Sequence, residues 1–432
     1  MRNLHPLLKT LISLKGNQRA CVYTEPLWAL PNNLILPFAS IYMASVGLND
    51  AQIGLVVSFG LAMQFLWALF SGAIVDKFGR RSSMMVFGII SWTIPCLLWA
   101  VAQGYWYFMI AIFFNSMWRV MGNSFSCMII EDEDSTQLIN IYTIFNFIGI
   151  LAGFISPIIG LLIDWFTLLP TIRGLYFAAM ILMTIKFLLQ YHMARESEIG
   201  KRRTRESREK SIISLTFGGW NVFTKSLLQT KLSIYVLLII LATCFSIVQD
   251  IFWPLFISAA YGVSNSMLSV FPLVKTIMTL IVYVTVTSRI KLHSIRRPLL
   301  AGLGANLSGI AVLVLFLPFG SVAIWAVFFS AICDAFAAAI LSPLFESLMT
   351  VSIPSEERAR VNSLITGLVL LISIPVGGIA GALSQHNRVF PLILNAILVI
   401  LEILIAVYLT YRTGRTEKPS SEHQDELIDM FE

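Results

Sequence analysis

The chain has 432 residues, of which 57% are hydrophobic and only 12% charged, with a formal net charge of +6. A soluble globular protein is about a quarter charged, and a water-soluble fold of this size cannot hide so much apolar surface. The composition excludes a soluble domain and leaves the bilayer as solvent; basic loops facing anionic lipid account for the positive charge without nucleic acid.

Met1 to Arg19 is polar and basic. The apolar run after it is too long for a cleavable signal, and no small-residue cleavage site follows. Leu4, Leu7, Leu8, Leu11, Ile12 and Leu14, with Lys9 and Lys15, fit either a short amphipathic surface helix or a frayed tail. A spanning helix needs about 20 mostly apolar residues. Twelve such stretches are predicted. The first six run Ala20–Val46, Ala51–Val75, Ser83–Ala102, Trp106–Ile130, Gln137–Phe166 and Thr171–Met193. The last six run Leu232–Ala259, Ser266–Ser288, Pro298–Leu317, Ser321–Val351, Val361–Leu383 and Phe390–Arg412. The long charged connection between the sets predicts a linker with a surface helix. The expected organisation is a bundle over 1–193, a linker over 194–231, a second bundle over 232–412 and a tail over 413–432. The acidic, polar tail is expected to be disordered.

Lys and Arg fix the expected orientation. With the N-terminus inside, one side carries nearly all of them, including Lys77, Arg80, Arg81, the linker cluster and Arg296-Arg297. The other carries only Arg173 and Arg388. Both termini are therefore expected in the cytoplasm. The five cysteines, Cys21, Cys96, Cys127, Cys244 and Cys333, have neither metal-site nor disulfide spacing and are expected as small core residues. No phosphate-cradling loop is present, and the five histidines lie at ends and loops. An enzyme, an ATP-driven pump, a metal site and a cofactor are all disfavoured.

The halves repeat. At a shift of 215 residues, Phe113-Phe114 falls on Phe328-Phe329, Arg119 on Asp334 and Glu131 on Glu346. At a shift of 217, Asn32-Asn33 falls on Gln249-Asp250 and Pro37 on Pro254. A parallel repeat of this kind predicts two six-helix bundles with a substrate site near the midplane between them.

Twelve spans, the six-plus-six split and a basic central connection resemble the major facilitator superfamily of transporters, of the bacterial type. The most specific residues follow the second span: Gly72, Asp76, Lys77, Gly79, Arg80 and Arg81 are similar to that family's loop motif. The physics suits a latch, in which Asp76 sits near the next helix N-terminus and Arg80 or Arg81 reaches Glu131 or Asp132. The alternative is plain positive-inside anchoring. The resemblance implies an all-α membrane fold of two pseudo-symmetric bundles, in a plasma membrane, with the first, fourth, seventh and tenth spans lining a cavity.

Three charges lie near mid-span, where insertion costs about 2.5–3.5 kcal/mol each: Arg119, Asp250 and Asp334. In one reading Asp334 or Asp250 exchanges a proton while Arg119 tunes it or holds an anionic group. In the other, Arg119 and Asp334 form a permanent ion pair that pins helix packing. Arg119-Val-Met-Gly122, and Gly149, Gly153, Pro157 and Gly160 in the fifth span, partly resemble the family's antiporter motifs; small residues there equally serve packing. Asn32, Asn33, Asn115, Asn123, Asn146 and Gln249 are candidate substrate contacts, and Trp28, Trp118 and Trp253 candidate cavity walls. Glu25 is expected to pair with an inner-loop Arg, Lys186 to snorkel inward, and Lys275 either to face the cavity or to snorkel. Glu402 has no assigned role. The leading expectation is a secondary transporter exporting a small amphiphilic molecule against protons. Uptake of a sugar or other nutrient is the alternative within transport, and a non-transporting sensor or scaffold the alternative outside it. The sequence does not set the oligomeric state; a monomer is compatible with it.

Overall fold

The computed structural model describes residues 6–131, 138–217, 230–286, 296–352 and 358–416, and among them there are helices and turns but no strand. Among the described residues, ten helices are long and apolar enough to cross a membrane, as expected of a multi-pass membrane protein. α1 (Pro6–Ser13) lies on the surface against α10 (Leu138–Phe166), where the Asn140 amide donates to the Thr10 hydroxyl at 2.9 Å. Of the two readings of this segment, the helix holds.

Two of the twelve predicted spans are broken rather than continuous. The stretch from Ala20 to Val46 is built from α2 (Gly16–Thr24), α3 (Pro26–Ile35), a 3-10 turn (Leu36–Phe38) and α4 (Ala39–Ser45). Pro26 and Pro37 each remove a backbone N–H at a junction, so the ladder restarts. The stretch from Trp106 to Ile130 divides into α8 (Tyr105–Asn115) and α9 (Trp118–Ile130), with the Ser116 hydroxyl turned onto the Phe113 carbonyl at 2.6 Å. The third span has a milder fault. A π turn (Ile89–Thr93) joins α6 (Arg80–Gly88) to α7 (Ile94–Ala100) just before Pro95, which cannot donate. Asn115 of α8 gives its amide to the Ser91 carbonyl inside that turn, at 2.9 Å.

α5 (Asp50–Phe78) starts on a capping box: Asn49 Oδ1 accepts from the Gln52 N–H at 2.8 Å, and Gln52 Oε1 from the Asn49 N–H at 3.1 Å. After α10 come α11 (Leu168–Met193), the short linker helices α12 (Glu198–Ser207) and α13 (Ile212–Phe217), and α14 (Thr230–Tyr261). They are followed by α15 (Val270–Thr285), α16 (Arg296–Leu315), α17 (Ile324–Ser352), α18 (Arg358–His386) and α19 (Phe390–Thr416). Pro157, Pro254, Pro343 and Pro375 sit inside α10, α14, α17 and α18 without ending them.

The two halves meet along a seam on the side that carries Arg388. The α5–α18 contact is the most extensive helix contact among the described residues. A Cβ on Gly381 would lie 2.7 Å from the Asp50 carbonyl oxygen and 2.8 Å from the Gly54 Cα, so only glycine allows this approach. Ser58 Oγ accepts from the Gly378 N–H at 2.7 Å. The Arg388 guanidinium grips Asp50 with Nε at 2.9 Å and a second nitrogen at 3.0 Å, and the Ser384 hydroxyl joins at 2.6 Å. A second contact, α10 against α15, is equally close. Gly153 faces Thr276 and Pro272, and the Ser156 hydroxyl donates to the Ser269 carbonyl at 2.9 Å. The seam covers the first half of α5; towards its other end α5 packs on α12 and α13, and Lys77 Nζ reaches the Lys210 carbonyl at 3.1 Å.

Candidate functional site

A cavity of about 230 Å³ lies between the halves. The first half contributes Asn33, Leu36 and Pro37 at the break between α3 and the 3-10 turn, with Gly149 and Gly153 of α10. The second contributes Gln249, Asp250, Trp253 and Pro254 of α14, Leu268, and Phe271, Pro272, Lys275 and Thr276 of α15. These walls belong to the first, fifth, seventh and eighth spans, rather than the first, fourth, seventh and tenth that the resemblance implied.

Lys275 organises the charge. Its Nζ donates to Asp334 Oδ2 at 2.5 Å and stands 5.5 Å from the centre of the Trp253 ring. Asp334, from α17, thus reaches the cavity through a lysine on a neighbouring helix. Asp250 is accessible within the cavity, close enough to both Lys275 and Asp334 for their charges to act on it. No ion pair forms at Asp250 among the described residues. Trp253 stacks edge-on against Phe271 with centroids 5.1 Å apart. Gln249 accepts from the Asn395 amide at 3.2 Å, and Asn33 donates to the Ala29 carbonyl at 2.7 Å.

Arg119 is not part of this cluster, and it does not pair with Asp334. Its guanidinium forks onto Gln64 Oε1 of α5, at 3.2 and 2.9 Å, and lies 4.2 Å from the ring of Trp118. An amide and an aromatic face satisfy this charge within the first half. Neither Arg119 nor Trp118 lines the cavity. Asn115 serves the π turn instead. Asn123 lies against Gly72 of α5, while Asn146 is exposed and Asn32 half-buried, all away from the cavity lining.

Glu25 and Lys186, expected to act separately, are partners at 3.0 Å, with the Lys186 side chain only 2% exposed. The lysine is ringed by Trp28, Phe125 and Phe187, each with its centroid within 5.1 to 5.4 Å. It is a buried ion pair of the first half, not a snorkelling lysine. Trp28 in turn packs edge-on against Trp92.

The loop motif forms a compact cluster. Arg80 binds Asp76 at 2.9 Å and Glu131 at 3.1 Å, and the Ser197 hydroxyl also donates to Glu131. Asp76 pairs with Arg80 rather than sitting at the next helix N-terminus. That place belongs to Glu196, whose carboxylate accepts the Arg80 and Arg81 N–H groups at 2.7 and 2.9 Å. Gly79, at φ +84°, makes room, since a Cβ there would meet Glu196 Oε2 at 2.9 Å. Arg81 turns to the Tyr191 carbonyl, 2.8 Å away, and stacks on its ring at 3.9 Å. These contacts tie the loop to α9 and to the start of the linker, all on one side of the molecule. Asp132 lies outside the described residues.

Two half-bundles joined at a seam, with a charged cavity between them, define a polytopic membrane protein of the transporter class. The sequence profile of the Major Facilitator Superfamily matches residues 29–378, and the chain belongs to that family of membrane transporters rather than to an enzyme family. YqjV of Bacillus subtilis (strain 168), an uncharacterized MFS-type transporter, is 29% identical over 138 residues, spanning 31% of this chain and 32% of that protein. Among solved structures, the POT family transporter PepTSo superposes with a TM-score of 0.70 at 11% identity, covering 93% of this chain and 99% of that one. The nucleoside transporter NupG, as its D323A mutant, superposes with a TM-score of 0.68 at 14% identity, covering 91% and 99%. At these identities the likeness is one of fold.

Proposed function

We propose that this protein is a secondary transporter working by alternating access, and that it exports a small amphiphilic molecule in exchange for protons. The observation that carries the reading is the cavity itself: both halves wall it, Asp250 and Lys275 line it, and Asp334 stands behind the lysine. Such charges are expensive within a membrane and are kept where they line a pathway. The seam of Asp50, Arg388 and the α5–α18 glycines supports a state closed on the Arg388 side. With both termini in the cytoplasm, that side is outer and this state faces inward. The bundles over 1–193 and 232–412 are the units that rock. The mostly apolar wall of Leu36, Pro37, Trp253 and Phe271 favours an amphiphile over a sugar, which needs many hydrogen-bonding partners.

Coupling follows from the shared lysine. When Asp334 is ionised, Lys275 is held by it; when Asp334 takes a proton, Lys275 is released towards Asp250. Reconstitution into proteoliposomes with an imposed pH gradient tests this. Gradient-driven flux of an amphiphile that is lost in Asp334→Asn is the expected result. Undiminished driven flux in that variant overturns the coupling role. A folded protein that moves no solute in a screen across compound classes overturns transport and leaves a sensor or scaffold.

A further inference from the structure

We infer that the central cavity takes a monocationic ligand with an apolar body, an organic ammonium, seated against Asp250. This deepens the transport reading and rests on it only for calling the ligand a substrate. Two carboxylates, Asp250 and Asp334, share one ammonium, Lys275, and that ammonium is committed to Asp334 at 2.5 Å. The cavity is therefore one positive charge short. A carboxylate that opens into a largely apolar cavity without a counter-ion is costly, and a bound cation removes that cost. The charged groups acting on Asp250 from the helices packed around it are Lys275 of α15 and Asp334 of α17. Facing it from α10 and the α3 break are glycines, Asn33, Leu36 and Pro37, none of them charged.

The rest of the wall sets the ligand's body. Trp253, Phe271, Leu36 and Pro37 offer an apolar and aromatic surface that suits the methyl or aryl groups of an organic cation. An anion would face Asp250, the lining cation Lys275 is already held by Asp334, and Arg119 is bound to Gln64 off the cavity. A metal cation would need several oxygen ligands at one point, and among the described residues no such group of acidic or imidazole side chains occurs.

The test is equilibrium binding of radiolabelled benzyltrimethylammonium to the purified full chain in nanodiscs, with benzenesulfonate as the anionic competitor. The wild-type protein is expected to bind the ammonium and to ignore the sulfonate. Asp250→Asn is expected to weaken binding about tenfold or more, which corresponds to roughly 1.4 kcal/mol, and Asp250→Glu to retain most of it. The proposal is overturned by unchanged affinity in a folded Asp250→Asn protein, by sulfonate binding as tightly as the ammonium, or by no ammonium binding up to the millimolar range. If Asp250→Asn does not fold, the ammonium–sulfonate comparison on the wild-type protein decides alone. PH-driven flux is measured separately. Intact flux with no preference for the ammonium overturns the ligand class only. Ammonium binding without any flux keeps the site and overturns transport.

Discussion

Two groups of charges in this molecule, one in each half, are treated in opposite ways. In the first half each finds a settled local partner: Lys186 holds Glu25, Arg80 holds Asp76 and Glu131, and Arg119 lies on Gln64 and Trp118. In the second half Lys275 serves two carboxylates and satisfies one, beside a cavity. On the proposed mechanism, the first bundle is a fixed frame and the second carries the adjustable chemistry.

The sharpest way to break that comparison is the Glu25–Lys186 pair. Removing one partner of a buried pair costs about 3–5 kcal/mol, while replacing both with apolar groups is often neutral. Lys186→Met is therefore expected to cause the largest loss of thermal stability, recovered in Glu25→Leu with Lys186→Met. A stable Lys186→Met protein that has lost driven flux would place a working charge in the first half as well. Next, Lys275→Met is expected to abolish driven flux with a smaller loss of stability, because the Lys275 side chain is 32% exposed and partly solvated; retained flux would contradict it. Third, Gly54→Val overpacks the seam by about 1–3 kcal/mol. Faster maleimide labelling of a cysteine at Ser58 is the expected readout, and unchanged labelling would remove the seam from the gating account. The smallest effect belongs to Arg119→Gln, which loses a hydrogen-bonded fork of about 1–2 kcal/mol. Flux should fall less than in Asp334→Asn, and an equal fall would return Arg119 to the coupling site.

Much of the cavity was legible in the repeat. The shift of 217 residues pairs Asn33 with Asp250, Leu36 with Trp253 and Pro37 with Pro254, and all six line the same space. The family loop was legible too, since glycine and paired basic residues at that spacing meet real geometric needs. What the repeat obscured was the partner of each charge. Aligning Arg119 with Asp334 suggested a pair, but the broken fourth span turns Arg119 onto Gln64, and helix packing brings Lys275, 59 residues away in sequence, to Asp334. The available signal was a lone lysine well inside an apolar run. Glu196 gave none, being one acid among many linker charges, yet it caps α6. Glu402 is buried at 1% exposure with Oε1 unpartnered, and nothing in the structure explains it.

Paired spin-label distances test alternating access most directly. One pair, at Gln103 and Asn387, reports the Arg388 side; another, at Phe78 and Arg297, reports the basic side, and all four positions are exposed. In Arg388→Gln, which loses the clasp on Asp50, the first distance is expected to lengthen while the second shortens. Two distances that stay fixed, or that lengthen together, would contradict a rocking motion about the central cavity.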